Sequence, residues 1–389
     1  MKILIQIPQL IFAGAEKVLV SFANDLVARG HEVEILESYD RGYLKPQFDP
    51  RVTFHCICSN EYTKKYYVSL VEVREEKNII KKVEKCAKLA FSKVVGYRKF
   101  AEKLAARYYA DKQYDVAINY LEIESPEFLI NAIRAKKYIQ WYHTDVANLE
   151  DPETTDSMIS AYEKMDAIIC VAESARRNFV NRYPQLKDKT YVIYNFYDVN
   201  EIRKKAEESF QYCVKKQGAL NLLSVGRMTS QKKYLRFLNV LARLKNEGYL
   251  FQWHVLGDGE QRKKIENKIN ELHLEDYVFL EGLTDNPYKY MKHCDLFVLP
   301  SGWEGFPTVT VEAKVLNCAV LATDVSGIRE QIEHGKTGWI VENNEEAIYQ
   351  GLKYLLNNKS VVNTIRSNEG IEKICDPKIK MQKILRIIN

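Results

Sequence analysis

Lys2 to Ile7 is a short apolar run, KILIQI, and Ala15 to Arg29 follows with Val18, Leu19, Phe22, Leu26 and Val27 on one helical face. Gly30 ends that helix, and Glu32 to Leu36 reads as a second strand. Parallel strands cannot be joined by a hairpin, so a strand, helix, strand unit implies a crossover and a sheet with helices packed on its faces. The fold class is therefore α/β. The connecting loop, Pro8 to Gly14, falls where a strand ends and a helix begins.

Further strands are expected at Val116 to Asn119, Tyr138 to Trp141, Ala167 to Val171 and Tyr191 to Tyr194, with helices fitting between them. After Asn195 the chain turns polar and charged through Lys216, which reads as an interdomain linker. A second alternating series runs through Leu220 to Val225, Phe251 to Leu256, Val278 to Leu280, Leu296 to Leu299 and Val320 to Thr323. Two series in 389 residues fit two domains of ordinary size. The expected division is a Rossmann-like domain over 1–198, a second over 199–375, and a last segment, 376–389. In that segment Lys378 to Ile388 has apolar residues at helical spacing and is expected to cross back to the first domain.

Hydrophobic residues make up 46% and charged residues 28%, which excludes a disordered or fibrous chain. The eight cysteines are scattered, and Cys56 with Cys58 lacks the spacing of a zinc site, so reduced, mostly buried thiols are expected. Gln6, Pro8 and Gln9 interrupt the first apolar run, so it reads as a buried strand rather than a secretory signal. No other stretch reaches the length of a membrane span, and a cytoplasmic protein is expected.

Two segments concentrate chemistry. Gly226-Arg227-Met228-Thr229-Ser230-Gln231-Lys232 follows a strand of the second series, placing two cations at the sheet edge where open α/β sheets bind ligands. Ser301 to Thr308 follows the strand Leu296 to Leu299, and a helix then starts. Glu304 lies in that loop, where a carboxylate can accept hydrogen bonds from sugar hydroxyls, and Glu312 is expected about two turns into the helix, whose free amides favour anions. Either pair alone is an ordinary solvated loop; together they describe a pocket for a phosphate and a polyol. The chain has no Asp-x-Asp metal signature.

These residues resemble those of glycosyltransferase family 4. The resemblance covers most of the chain through Ser224-Val225-Gly226-Arg227 with Lys232, Leu256-Gly257-Asp258-Gly259-Glu260, Glu304 to Glu312, and Ala322-Thr323-Asp324-Val325-Ser326-Gly327 with Gly338. The first half matches more loosely, through Ala13-Gly14-Ala15-Glu16, His143 and Val192-Ile193-Tyr194-Asn195. It implies two Rossmann-like domains facing across a cleft, the GT-B fold, with the acceptor on the first domain and a nucleotide-sugar donor on the second. It also implies transfer with retention of anomeric configuration. Because the Asp-x-Asp signature is missing and the cationic loop could replace a metal, no metal and no cofactor are expected. The donor is expected to be a UDP-hexose or UDP-N-acetylhexosamine and the acceptor a glycan or lipid-linked saccharide.

By the same resemblance, Arg227 and Lys232 bind the diphosphate, Glu304 the donor sugar and Glu312 the ribose. Gly305, Phe306, Pro307 and Thr308 line sugar and phosphate, the last three through backbone amides, and Leu283 lies where the backbone meets the base. Gly14 lets a bare backbone approach the phosphates, and His143 is the active-site histidine near donor and acceptor. Retention is expected by front-face substitution rather than through a carboxylate nucleophile. Ala13 stands where the family has a first glycine, and Lys233 where it has a glycine after the lysine, which is expected to alter that loop. A partner subunit without catalysis and another enzyme of the same fold, such as an epimerase, are the other classes.

The formal charge of +5 is local, because Arg74 to Lys112 holds twelve Lys or Arg against five Asp or Glu, leaving the remainder at −2. Lys81, Lys82, Lys85 and Lys88 interleave there with Ile79, Ile80, Val83, Ala87, Leu89, Phe91, Val94 and Val95. That pattern fits a helix lying on an anionic membrane at the inner face or meeting a lipid pyrophosphate, with a solvated face as the plain alternative. No nucleic-acid motif accompanies it, and no nucleic-acid partner is expected.

Overall fold

The computed structural model describes residues 1–11, 13–40, 42–58, 73, 74, 76, 78–95, 97–148, 152–212 and 218–388. Two parallel sheets organise them. The first contains β1 (Lys2–Ile7), β2 (Glu32–Tyr39), β3 (Thr53–Cys58), β4 (Gln113–Asn119), β5 (Arg134–Tyr142), β6 (Ala167–Cys170) and β7 (Thr190–Val192), in the order β3-β2-β1-β4-β5-β6-β7. The second contains β8 (Leu220–Val225), β9 (Phe251–Leu256), β10 (Val278–Gly282), β11 (Leu296–Leu299), β12 (Val320–Thr323) and β13 (Trp339–Val341), in the order β10-β9-β8-β11-β12-β13.

In both sheets the winding reverses beside the first strand. β1 pairs with β2 on one side and β4 on the other, with Ile3 opposite Val33 and Val116, and β8 lies likewise between β9 and β11. Crossovers leave such a strand pair on opposite faces, so the loops diverge and a crevice opens at the strands' C-terminal ends. Sequence periodicity supplies the burial that holds this layout. Ile3, Ile5 and Ile7 face the core that contains Val18, Leu19 and Phe22 of the helix Gly14–Ala28, while Leu4 faces the opposite cluster with Leu36, Ala117 and Tyr109. Burying each such side chain contributes about 1.5–3 kcal/mol.

The structure departs from the sequence expectation at particular places. β3 and β13 form where no strand was expected, and each is an edge strand paired on one side. β7 ends at Val192, although the Ile193 amide still donates to the Cys170 carbonyl of β6 at 3.1 Å. Within the stretch read as linker, Asp198 accepts from the Glu201 amide and caps a helix, Val199–Ala206, which buries Ile202 and Ala206. The last helix, Pro377–Ile388, does return to the first half: Lys380 Nζ donates to the Asn195 carbonyl at 2.7 Å and Lys137 Nζ to that of Ile387 at 3.0 Å.

Among the described residues, no helix is long and apolar enough to cross a membrane. Of the seven described cysteines, all free thiols, five are buried.

Candidate active site

The loop Gly226 to Lys232 follows β8. Its turn depends on Lys233, which adopts a left-handed backbone with φ 51° and joins the loop to the helix Tyr234–Asn246. An L-residue there costs about 1–2 kcal/mol, which explains why a glycine is usual. Lys233 Nζ lies 5.1 Å from the centre of the Trp303 ring, a cation–π contact that offsets part of that cost. The loop therefore makes a left-handed turn with a lysine at this position.

Lys232 then points at the second segment. Its Nζ donates to Glu304 Oε1 at 2.7 Å, with the two side chains 14% and 9% exposed. Gln231 Nε2 donates to the other oxygen, Oε2, at 3.1 Å and to the Trp303 carbonyl at 2.9 Å, and the Gly302 amide donates to the Gln231 carbonyl at 2.7 Å. Both carboxylate oxygens are thus oriented by the loop after β8. Arg227 is exposed and, among the described residues, has no ion pair.

The helix Thr308–Val315 begins directly after this loop, and Glu312 is its fifth residue. It is a little more than one turn in, rather than the two expected, because the helix starts only after Pro307. Pro307 has no N–H, so of the three residues expected to offer amides only Phe306 and Thr308 can. Its carbonyl is instead held by Thr310 Oγ1 at 2.8 Å and Gln331 Nε2 at 3.3 Å. Glu312 is 4% exposed, and its Oε1 accepts from Tyr288 Oη at 3.2 Å and from Lys17 Nζ, of the first half, at 3.1 Å. Leu283, next to Gly282 at the end of β10, is 77% exposed.

The opposite wall comes from the first half. At Gly14 a Cβ would lie 2.9 Å from Thr308 Oγ1, and at Gly305 one would overlap the carbonyl of His143, so both glycines permit backbone contact across the cleft. His143 follows β5; its amide donates to Glu122 Oε2 at 2.9 Å, and its buried Nε2 has no partner among the described residues. Burial pushes the His143 imidazole down to about 3, so it is neutral at physiological pH and can exchange hydrogen bonds but carries no charge. Glu16, in the first turn of the helix after Gly14, is pushed up to about 7 by burial, against the opposing pull of its own backbone amide and of Arg227, with Glu122 adding to the rise.

The structure thus brings Arg227, Lys232, Glu304, Gly305, Phe306, Thr308, Glu312, Gly14 and His143 to facing ends of two sheets. Gln231 and Glu16, which stood in the sequence motifs without a role, also belong there, as do Lys17, Tyr288 and Glu122, which were not picked out. Lys81, Lys82, Lys85 and Lys88 lie apart, on the helix Ile79–Val95 of the first half.

Residues 12–201 match the model for Glycosyltransferase Family 4, and residues 205–370 match the one for Glycosyl transferases group 1. The chain belongs to glycosyltransferase family 4. Among curated glycosyltransferases, it is 35% identical over 197 residues to the N-acetylgalactosamine-N,N'-diacetylbacillosaminyl-diphospho-undecaprenol 4-alpha-N-acetylgalactosaminyltransferase of Campylobacter jejuni, covering 50% of this chain and 52% of that protein. It is 27% identical over 218 residues to the capsular polysaccharide biosynthesis glycosyltransferase CapM of Staphylococcus aureus, covering 52% and 55%. The matched stretch spans about half the length of these relatives. Similar solved structures include HepE of Anabaena in complex with UDP and glucose, at TM-score 0.74 and 17% identity over 99% of this chain and 98% of that one. Another is TarM, at 0.75 and 15% over 100% and 98%. At such identity the likeness is one of fold: two Rossmann-like domains facing across a cleft, as in GT-B glycosyltransferases.

Proposed function

We propose that this glycosyltransferase moves a hexose or N-acetylhexosamine from a uridine diphosphate donor to a glycan or lipid-linked saccharide, with retention and without a metal. The observation that carries the reading is the Lys232–Glu304 pair, 2.7 Å apart, at the point where the second sheet's winding reverses. As the sugar–phosphate bond breaks, negative charge grows on the departing diphosphate. Lys232, Arg227 and the free amides ahead of Glu312 are charges fixed in advance of that change. Glu304 is then left to accept from sugar hydroxyls, and neutral His143 faces the same loop. In front-face substitution the departing phosphate would take the acceptor's proton.

The division at about residue 198 would place the acceptor on residues 1–198 and the donor on 199–375. Complexes of HepE with UDP and glucose favour uridine, and the undecaprenol-linked substrate named for the Campylobacter relative favours a lipid-linked acceptor. The patch on the helix Ile79–Val95 suits the second point. Ile79, Ile80 and Val83 are 78%, 81% and 65% exposed beside Lys81 and Lys82, while Lys85 and Lys88 pair with Glu76 at 2.8 Å and Glu84 at 2.6 Å. A panel of nucleotide sugars, read by nucleotide release with and without acceptor, tests the reading.

A further inference from the structure

The helix Glu173–Arg182 in the first half begins without a capping side chain of its own, because its N-cap residue is Ala172. The first amides of a helix have no partner within it, and an uncapped end leaves them unpaired. Here the cap comes from the other half. Glu330, in the short helix Ile328–Gln331 after β12, accepts at Oε2 from the Glu173 amide at 2.9 Å and at Oε1 from the Ser174 amide at 3.0 Å. Ser174 Oγ donates to Oε1 at 2.9 Å and Tyr194 Oη to Oε2 at 2.9 Å. Four donors of the first half thus converge on one carboxylate of the second. Ser174 Oγ accepts in return from the Gly327 amide and from Ser326 Oγ, both at 2.9 Å.

This clasp reaches the donor loop by two routes. The Tyr194 ring, held by Glu330, stacks on Phe306 with centroids 5.2 Å apart. Gln331, the residue after Glu330, holds the Pro307 carbonyl, and Gly327 packs so closely on Phe306 that a Cβ would lie 2.7 Å from its ring. The same loop, at Gly305, rests against His143. We propose that Glu330 is a positioning residue and the latch of the cleft: by capping a helix of the opposite half it holds the sugar-side loop against the His143 wall, and its release accompanies opening. Charge-assisted bonds to a carboxylate are among the stronger ones available, yet they form only when the two halves meet, so they bias closure without touching the donor.

The latch deepens the proposed transfer reading, and its first test does not depend on that reading. Small-angle scattering of the full chain without ligand compares wild type with Glu330→Gln, whose amide nitrogen would face the Glu173 and Ser174 amides. The radius of gyration is expected to rise in the variant, and superimposable curves would overturn the latch. In steady-state transfer, kcat should fall about tenfold while affinity for UDP, the probe, changes by no more than a few-fold, because Arg227, Lys232 and Glu312 are intact. An unchanged kcat, or a loss confined to UDP affinity, would count against the proposal. If wild type fails to bind UDP, the uridine reading fails while the scattering comparison still decides the latch. Should Glu330→Gln not fold, Tyr194→Phe removes one of the four donors and is expected to shift scattering and kcat in the same direction by less; wild-type behaviour of that variant would be the overturning result.

Discussion

Lys17 Nζ, on the first half, stands 3.1 Å from Oε1 of Glu312 on the second, and 4.6 Å from the centre of the Tyr288 ring that also faces this carboxylate. The oxygen proposed to accept from ribose hydroxyls therefore already holds a cation from across the cleft. Ribose must compete with Lys17 for it. The pair is partly solvated, with Lys17 36% exposed, so it is worth about 0.5–1 kcal/mol. Lys17→Met is expected to tighten UDP binding by roughly two- to fivefold, measured by calorimetry. Weaker binding would show that Lys17 contacts the donor directly.

Arg227→Ala and Lys232→Ala are both expected to lower kcat by about 10²–10³, the usual cost of losing a group aimed at developing negative charge. Their effects on stability differ. Arg227 is exposed, so its loss leaves the fold unchanged. Lys232 holds a Glu304 carboxylate that is 9% exposed, and deleting one partner of such a pair costs about 3–5 kcal/mol. Lys232→Met combined with Glu304→Gln should recover most of that stability in urea unfolding and none of the turnover. Recovery of turnover would remove both residues from their proposed roles.

Glu16 gives a pH signature. A carboxyl raised from 4.5 to about 7 on folding keeps its proton in the folded state over that range, so folding stability is lost as pH rises from about 4.5 to 7 and stays lost above. The gap corresponds to about 3 kcal/mol. Glu16→Gln should match wild type near pH 3.5, where the position is uncharged in both folded and unfolded chains, and exceed it in unfolding free energy at pH 8. Equal stability of the two proteins at pH 8 would show that the Glu16 charge is not strained.

Much of this fold was legible because strands buried on both faces read as short, mostly apolar runs: KILIQI, LNLLSV, FQWHVL and LFVL match β1, β8, β9 and β11 end to end. β3 and β13 were not, since an edge strand's residues carry less of that signal, and in β3 only Ile57 and Cys58 are buried. The loops after β8 and β11 were legible as motifs because each is contiguous. Lys17, Glu122 and Glu330 were not, because each acts across more than 20 residues of sequence, and a lone lysine or glutamate looks like any solvated one.

On the helix Ile79–Val95 the structure narrows the membrane expectation to Lys81 and Lys82, beside exposed Ile79, Ile80 and Val83, because Lys85 and Lys88 are ion-paired. Each free lysine near anionic lipid contributes about 1 kcal/mol, and the attraction is screened by salt. Replacing Lys81 and Lys82 with Gln should reduce sedimentation with phosphatidylglycerol vesicles at low salt roughly as much as replacing all four lysines. Equal binding of wild type and the four-lysine variant would leave a soluble glycan as the better acceptor.

The cationic loop after β8 and Glu304 are proposed to carry sugar transfer from a nucleotide diphosphate without a metal. This is tested most directly by incubating the full chain, in chelator, with a panel of UDP-, GDP- and ADP-sugars and with undecaprenyl-diphosphate-linked or soluble saccharide acceptors, and measuring nucleotide release. The account predicts acceptor-dependent release of UDP that survives chelation and is lost in Arg227→Ala. Release that requires added manganese or magnesium, or no release from any nucleotide sugar by the folded protein, would contradict it.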